Sequence, residues 1–187
     1  MTRGMRILEL KKQGEALIFP QEVTARDATL MGAVRLAPGA LGPEPHVHLR
    51  QEETFTVTQG RLIVTMDGQE HVLEEGQSAT VPQGGVHTFR NGHADRPMEA
   101  QVRVEPALHI EWMLHEMATS AIRNGGDWKS LPLLEAGFVL HELRDEYRFA
   151  AMPALISRPL FAVLHGLALL TGASKRIADR EAYYAGV

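Results

Sequence analysis

A chain of 187 residues, 44% hydrophobic and 22% charged, has the make-up of one globular domain, with or without an appendage. It contains no cysteine, which excludes disulfides, thiolate metal ligands and cysteine nucleophiles. The formal net charge is −4, and there is neither a dense basic run nor basic–aromatic interleaving, so nucleic acid is not an expected partner.

The chain changes character near Pro106. Residues 1–106 are expected to form a β-barrel and residues 107–187 a C-terminal helical extension. Met1 to Leu30 has no apolar run followed by a small-residue cleavage site, and a cytoplasmic location is expected. Strands are predicted over Leu30–Leu36, Thr54–Thr58, Leu62–Met66, Glu70–Leu73, Ser78–Val81, Val86–Arg90 and Met98–Val104, each closed by glycine, proline or asparagine. Asp67-Gly68 joins two of them as a tight hairpin, because a type I′ turn needs positive φ. Many short strands at regular spacing imply a sandwich or barrel.

Beyond Pro106 the apolar residues recur at helical spacing. Ile110, Met113, Leu114, Met117, Ala118, Ala121 and Ile122 form one stripe. Leu133, Ala136, Gly137, Leu140, Leu143 and Tyr147 predict a second helix. Pro159 is expected to start a third, apolar on most sides from Leu160 to Leu170 and hence buried in the fold or against another subunit. A homodimer is expected on that ground, through the barrel edges or this helix. Pro153–Gly172 approaches a membrane span in length, but Ser157, Arg158, Pro159 and His165 interrupt it and no span is expected. The residues from Ala173 onward, polar and mixed, are expected to be a tail.

Chemistry concentrates in the barrel half. His46 and His48, separated by Val47, lie on one face of a strand, since side chains alternate with period two. Glu53 follows after four residues, sharing parity with Phe55 and Val57, and His87 lies on a separate strand beside Phe89. Three imidazoles and one carboxylate suit a first-row divalent metal and leave two positions open if the ion is six-coordinate. Glu52 is the alternative carboxylate. The inner face, with Phe55, Val57, Ala79, Val81 and Phe89, suits a small, partly apolar or aromatic molecule. Arg50, Arg90 and Arg103 could hold a carboxylate, although the parity of Arg90 points it outward. His71 and His93 are expected in solvent. His109, His115, His141 and His165 are expected to be ordinary helix residues, with His109 and His115 the two that could reach the barrel mouth.

Two spaced patterns carry a resemblance. In the first, His46, His48, Glu53 and Gly60 stand with four residues before Glu53 and six after it, and Gly39 lies one residue too far upstream to open the pattern. In the second, Gly76, Pro82, Gly84, His87 and Asn91 match in full. The sequence resembles the cupin superfamily at both motifs, over roughly Pro38 to Val104. That resemblance implies a mainly β fold, a cupin double-stranded β-helix or jelly-roll barrel, here with a C-terminal α-helical extension. It also implies one divalent metal held by His46, His48, Glu53 and His87. Iron or manganese suits this sulfur-free set of four ligands best, and zinc, nickel and copper are the other metals it accepts. The implied activity is that of a metal-dependent enzyme acting on a small organic substrate, of dioxygenase or isomerase/cyclase type. The alternative is a non-catalytic protein that binds or senses a small ligand. No separate general acid or base is assigned.

Overall fold

The computed structural model describes residues 4–185. Ten strands come first: β1 (Met5–Leu10), β2 (Glu15–Pro20), β3 (Leu30–Leu36), β4 (His46–His48), β5 (Glu52–Gln59), β6 (Arg61–Met66), β7 (Gln69–Glu74), β8 (Ser78–Val81), β9 (Val86–Asn91) and β10 (Met98–Glu105). Helices α1 (Ile110–Asn124) and α2 (Leu133–Glu142), strand β11 (Tyr147–Phe149), and helices α3 (Ala154–Thr171) and α4 (Arg180–Tyr183) follow. Single 3₁₀ turns lie at Trp128–Ser130 and Ala173–Arg176.

Two antiparallel sheets face each other, in the orders β1-β2-β3-β10-β5-β8 and β11-β4-β9-β6-β7. From β3 to β10 the chain passes repeatedly between them, which wraps the pair as a jelly-roll barrel. Alternate residues of each strand point between the sheets, and Phe55, Leu62, Val64 and Met98 are fully buried there. The hairpin at Asp67-Gly68 has positive φ at both residues, as expected. Gly60 has a φ of +78°, and a Cβ there would stand 2.9 Å from the Pro97 carbonyl oxygen, so no side chain fits. Asn91 ties loops together: its side-chain amide donates to the carbonyls of Ala37 and Arg96, and its Oδ1 accepts from His93 N–H.

Four features differ from the sequence reading. First, β1 and β2 extend the larger sheet in a segment where no strand was predicted. Second, the second helix stops at Glu142, and Tyr147 lies in β11 rather than on that helix. The exposed edge of β4 offers unpaired backbone groups, and Tyr147–Phe149 satisfies them by pairing with His48–His46. Third, the third helix starts at Ala154, and Pro159 lies inside it. Proline removes the bond to the Leu155 carbonyl, which water can replace because Leu155 is 92% exposed. Fourth, the segment from Ala173 is packed: Ile177 and Tyr184 are buried, and the Tyr184 hydroxyl accepts from Trp112 N–H.

Helix α3 buries Leu164 and Ala168 and stacks His165 on Phe138 of α2, while Leu160, Val163, Leu167 and Leu170 form an exposed apolar stripe. By length and composition it is the one helix among the described residues that could cross a membrane. Its seat on α2 depends on Gly137, where a Cβ would come within 2.4 Å of Leu164 Cβ. Helix propensity favours alanine over glycine by about 1 kcal/mol, but forcing a methyl into a packed contact costs about 1–3 kcal/mol. Gly137→Ala is therefore expected to destabilise the protein in urea denaturation. Leu164→Gly, which removes that Cβ, combined with it should cost less than the sum of the two single changes, and additivity would show that this contact does not seat α3.

Candidate metal centre

The site begins with a strand of three residues. β4 holds His46 and His48 on its inner face, and its antiparallel register with β9 sets His46 opposite His87. Glu53 reaches in from β5 of the facing sheet, on the same parity as Phe55 and Val57, while Glu52 is exposed and plays no part. All four side chains are buried, and one donor atom from each lies within 4.8 Å of every other.

The hydrogen bonds orient the rings. His46 Nδ1 lies 3.0 Å from the Glu44 carbonyl oxygen and His87 Nδ1 lies 3.2 Å from that of Gly85. A carbonyl only accepts, so each Nδ1–H donates, which leaves Nε2 as each ring's available ligand atom. This is the way carbonyls orient metal-binding histidines. His87 Nε2 then lies 2.7 Å and His48 Nε2 3.4 Å from Glu53 Oε2, with His48 Nδ1 buried and without a partner. A ring nitrogen and a carboxylate oxygen 2.7 Å apart share a proton or a cation.

Burial, together with the neighbouring His87 and His48 rings, holds the His46 imidazole well below the usual range for histidine, so it is neutral. Burial pushes the Glu53 carboxyl up, but the His48 and His87 contacts outweigh it and hold the group well below the usual carboxylate range. A neutral His46 imidazole and an ionised Glu53 carboxylate are the forms in which these two groups bind a metal.

Three features of this site were not foreseen. Tyr147, delivered by β11, is buried and stacks on His46 with ring centroids 5.2 Å apart. Burial and then Glu53 raise its phenol above the ordinary value, which keeps the hydroxyl protonated. Next, an inner cavity of about 90 Å³ runs from His46, His48 and Glu53 between Phe55, Phe89, Leu17 and Val34. A second of about 310 Å³ borders it along Pro43, Met113, Leu114, Trp128 and Tyr147, so α1 and the turn at Trp128 form the roof. Last, Glu15 lines the inner cavity. It is buried, and Trp128 Nε1 donates to its Oε2 at 2.7 Å.

A family model described as a cupin domain matches residues 32–118. An uncharacterized protein of Aquifex aeolicus is 40% identical over 85 residues, which covers 46% of this chain and 70% of the relative. The chain belongs to the cupin superfamily. Solved cupins of similar shape include a sugar phosphate isomerase of Silicibacter pomeroyi, 29% identical, with a TM-score of 0.44. The match spans 49% of this cupin and 59% of the isomerase chain. An RmlC-like cupin of Shewanella frigidimarina is 20% identical with a TM-score of 0.48, over 57% of this chain and 88% of that one.

Other candidates from the sequence lie away from the cupin cavity. Arg90 points outward to Glu70 and Arg103 to Glu105. His109 bonds Glu146 and His115 bonds Glu116, and neither lines the cavity. His71 is exposed, and His93 is half-buried rather than fully in solvent. The signals for the missed residues were weak. Glu15, Leu17 and Phe19 do share one strand parity, which is the pattern that would have placed an acid on an inner face.

Burial pushes the Glu15 carboxyl up from 4.5 to about 7, against the opposing bond from Trp128. Between those values the folded chain holds more protons than the unfolded chain. Glu15 therefore subtracts stability as pH rises through that window, up to roughly 3 kcal/mol above it. Glu15→Gln keeps an acceptor for Trp128 and should be more stable than the parent at pH 8 and nearly equal to it at pH 4. Parallel urea titrations at both values check this, and a pH-independent difference would contradict it.

Proposed function

We propose that His46, His48, Glu53 and His87 hold one divalent metal, iron or manganese, in a metal-dependent enzyme that acts on a small, partly apolar organic molecule. The observation that carries this reading is the buried four-donor cluster, with carbonyl-fixed histidines and the 2.7 Å approach of His87 to Glu53. Nitrogen and carboxylate donors without sulfur suit these hard first-row ions. A bound ion would supply Lewis acidity or a place for dioxygen, which corresponds to isomerase/cyclase or dioxygenase chemistry.

The rest falls to the protein. Phe55 and Phe89 wall the cavity beside the cluster and exclude water. The protonated Tyr147 hydroxyl has no hydrogen-bond partner among the described residues and borders the same space, so it can donate to a substrate oxygen. Helix α1 and Trp128 close the roof over the bound molecule.

Metal analysis of protein from unsupplemented cells, purified without a metal-affinity tag, tests the reading. About one equivalent of iron or manganese is expected. His48→Ala should lower metal affinity more than about tenfold, since even loss of an outer hydrogen bond to a ligand costs 10–100-fold. Its circular dichroism should be unchanged, because strand pairing does not need the imidazole. A full equivalent retained by that variant would sink the assignment. Oxygen consumption with substrate would mark a dioxygenase, and turnover without it an isomerase or cyclase. Bound metal and ligand with no turnover would instead mark a sensing or carrier protein, for which the enclosed apolar cavity is equally suited.

We also propose a homodimer in which α3 is covered by its counterpart. Its stripe of Leu160, Val163, Leu167 and Leu170 has no cover among the described residues. Light scattering should give twice the chain mass, and Val163→Glu should shift the protein to monomer. A parent that is monomeric at every concentration would exclude this arrangement.

A further inference from the structure

Six glutamates are buried: Glu15, Glu53, Glu111, Glu116, Glu135 and Glu146. Four of them are structural and richly bonded. Glu111 accepts from Arg6 and Thr24 N–H, and Glu135 from Ser120, Arg123 and Arg176. Glu116 accepts from Ala178 N–H, and Glu146 from His109 N–H and Gln51. Among the described residues, Glu15 and Glu53 alone have neither an arginine nor a backbone N–H partner, and these are the two that line the inner cavity.

Glu53 has the three histidines. Glu15 stands outside that cluster and has only Trp128, which occupies one of its two oxygens. One hydrogen bond does not offset the burial of a carboxylate, and the raised pKa of the group registers that deficit. Position gives the deficit a use. Glu15 shares the inner face of β2 with Leu17 and Phe19, and all three line the cavity. Among the described residues no lysine or arginine lines that cavity, so none competes there for the free oxygen.

We propose that Glu15 is the second polar anchor of the ligand pocket, accepting a hydrogen bond from a hydroxyl or amine of the bound molecule at a point separate from the histidine cluster. This rests on the reading of the cavity as a substrate pocket and narrows the substrate class. The molecule has an apolar middle, a group that meets the four-donor cluster, and a hydrogen-bond donor that meets Glu15. A carboxylate or phosphate at the Glu15 end is disfavoured, because it would face an acid with no described cation in the wall of the inner cavity.

Ligand titrations with simple probes test the anchor. Hexylamine, hexan-1-ol and the acceptor-only hexan-2-one are titrated into zinc-treated, ¹³C-glutamate-labelled protein, with the Glu15 carboxyl resonance assigned by its loss in Glu15→Gln. The glutamine still accepts from Trp128 and so preserves the roof. Hexylamine or hexan-1-ol is expected to move the Glu15 resonance, and Glu15→Gln to weaken that probe about tenfold while leaving hexan-2-one unchanged. The probe that loses more identifies the donor as amine or hydroxyl. A resonance that no donor moves, or equal affinities in parent and variant, overturns the proposal. Zinc uptake is measured on the same samples, so failure of the metal reading appears there and not in the Glu15 signal.

Discussion

The pairing of β4 on both edges is the constraint on which the site depends. Three residues make a weak strand, yet β4 has β9 on one side and β11 on the other. The first pairing sets His46 opposite His87, and the second sets Tyr147 opposite His48. A slip of one residue would turn both histidines out of the barrel, since strand faces alternate with period two. Glu146, next to Tyr147, secures the second pairing. Its carbonyl accepts from Leu49 N–H, and its carboxylate accepts from Gln51 Nε2 and His109 N–H. The loop after β4 and the start of α1 are thus held by one buried residue of the helical half.

The strand pairing places the polar groups, but it does not make their burial favourable. Three imidazoles and a carboxylate inside a mostly apolar barrel lose their hydration, and each unsatisfied atom costs about 1–3 kcal/mol. The structure compensates in part with carbonyl acceptors for His46 and His87, and leaves His48 Nδ1 without any. The remaining compensation falls between the Nε2 atoms and Glu53, where a divalent cation would satisfy all the lone pairs at once. The other well-bonded buried acids need nothing from outside. Among the buried acids the deficit is therefore confined to the two that line the cavity, which is where a binding protein can use it.

Much of the barrel was legible in the sequence because its constraints are local. Gly60 is required by a positive φ and by the approach of the Pro97 carbonyl, and Asn91 by the carbonyls it must satisfy. Such requirements leave residue types at set spacings. The parity of Glu53 over Glu52 follows from the same alternation. β11 was not legible, because Leu140, Leu143 and Tyr147 continue a helical spacing while the competing force, the open edge of β4, lies a hundred residues away. Glu15 was missed for a related reason. Its significance comes from Trp128, on a turn that no local pattern brings near β2. The start of α3 at Ala154 was misplaced because a proline within a helix is tolerated where its orphaned carbonyl faces water.

The helical half therefore acts on the barrel in two layers. Its inner layer, α1, Trp128 and β11, supplies the roof, the partner of Glu15 and the phenol beside His46. Its outer layer is α3, whose apolar stripe faces away from the barrel and whose opposite side sits on α2. The two layers meet where Ser157 and Phe161 of α3 border the same hollow as Tyr147 and Phe149 of β11. Arg158 adds an ion pair to Asp145, two residues before Tyr147. A body that covers α3 consequently stands one layer of side chains from the strand that holds β4 in register.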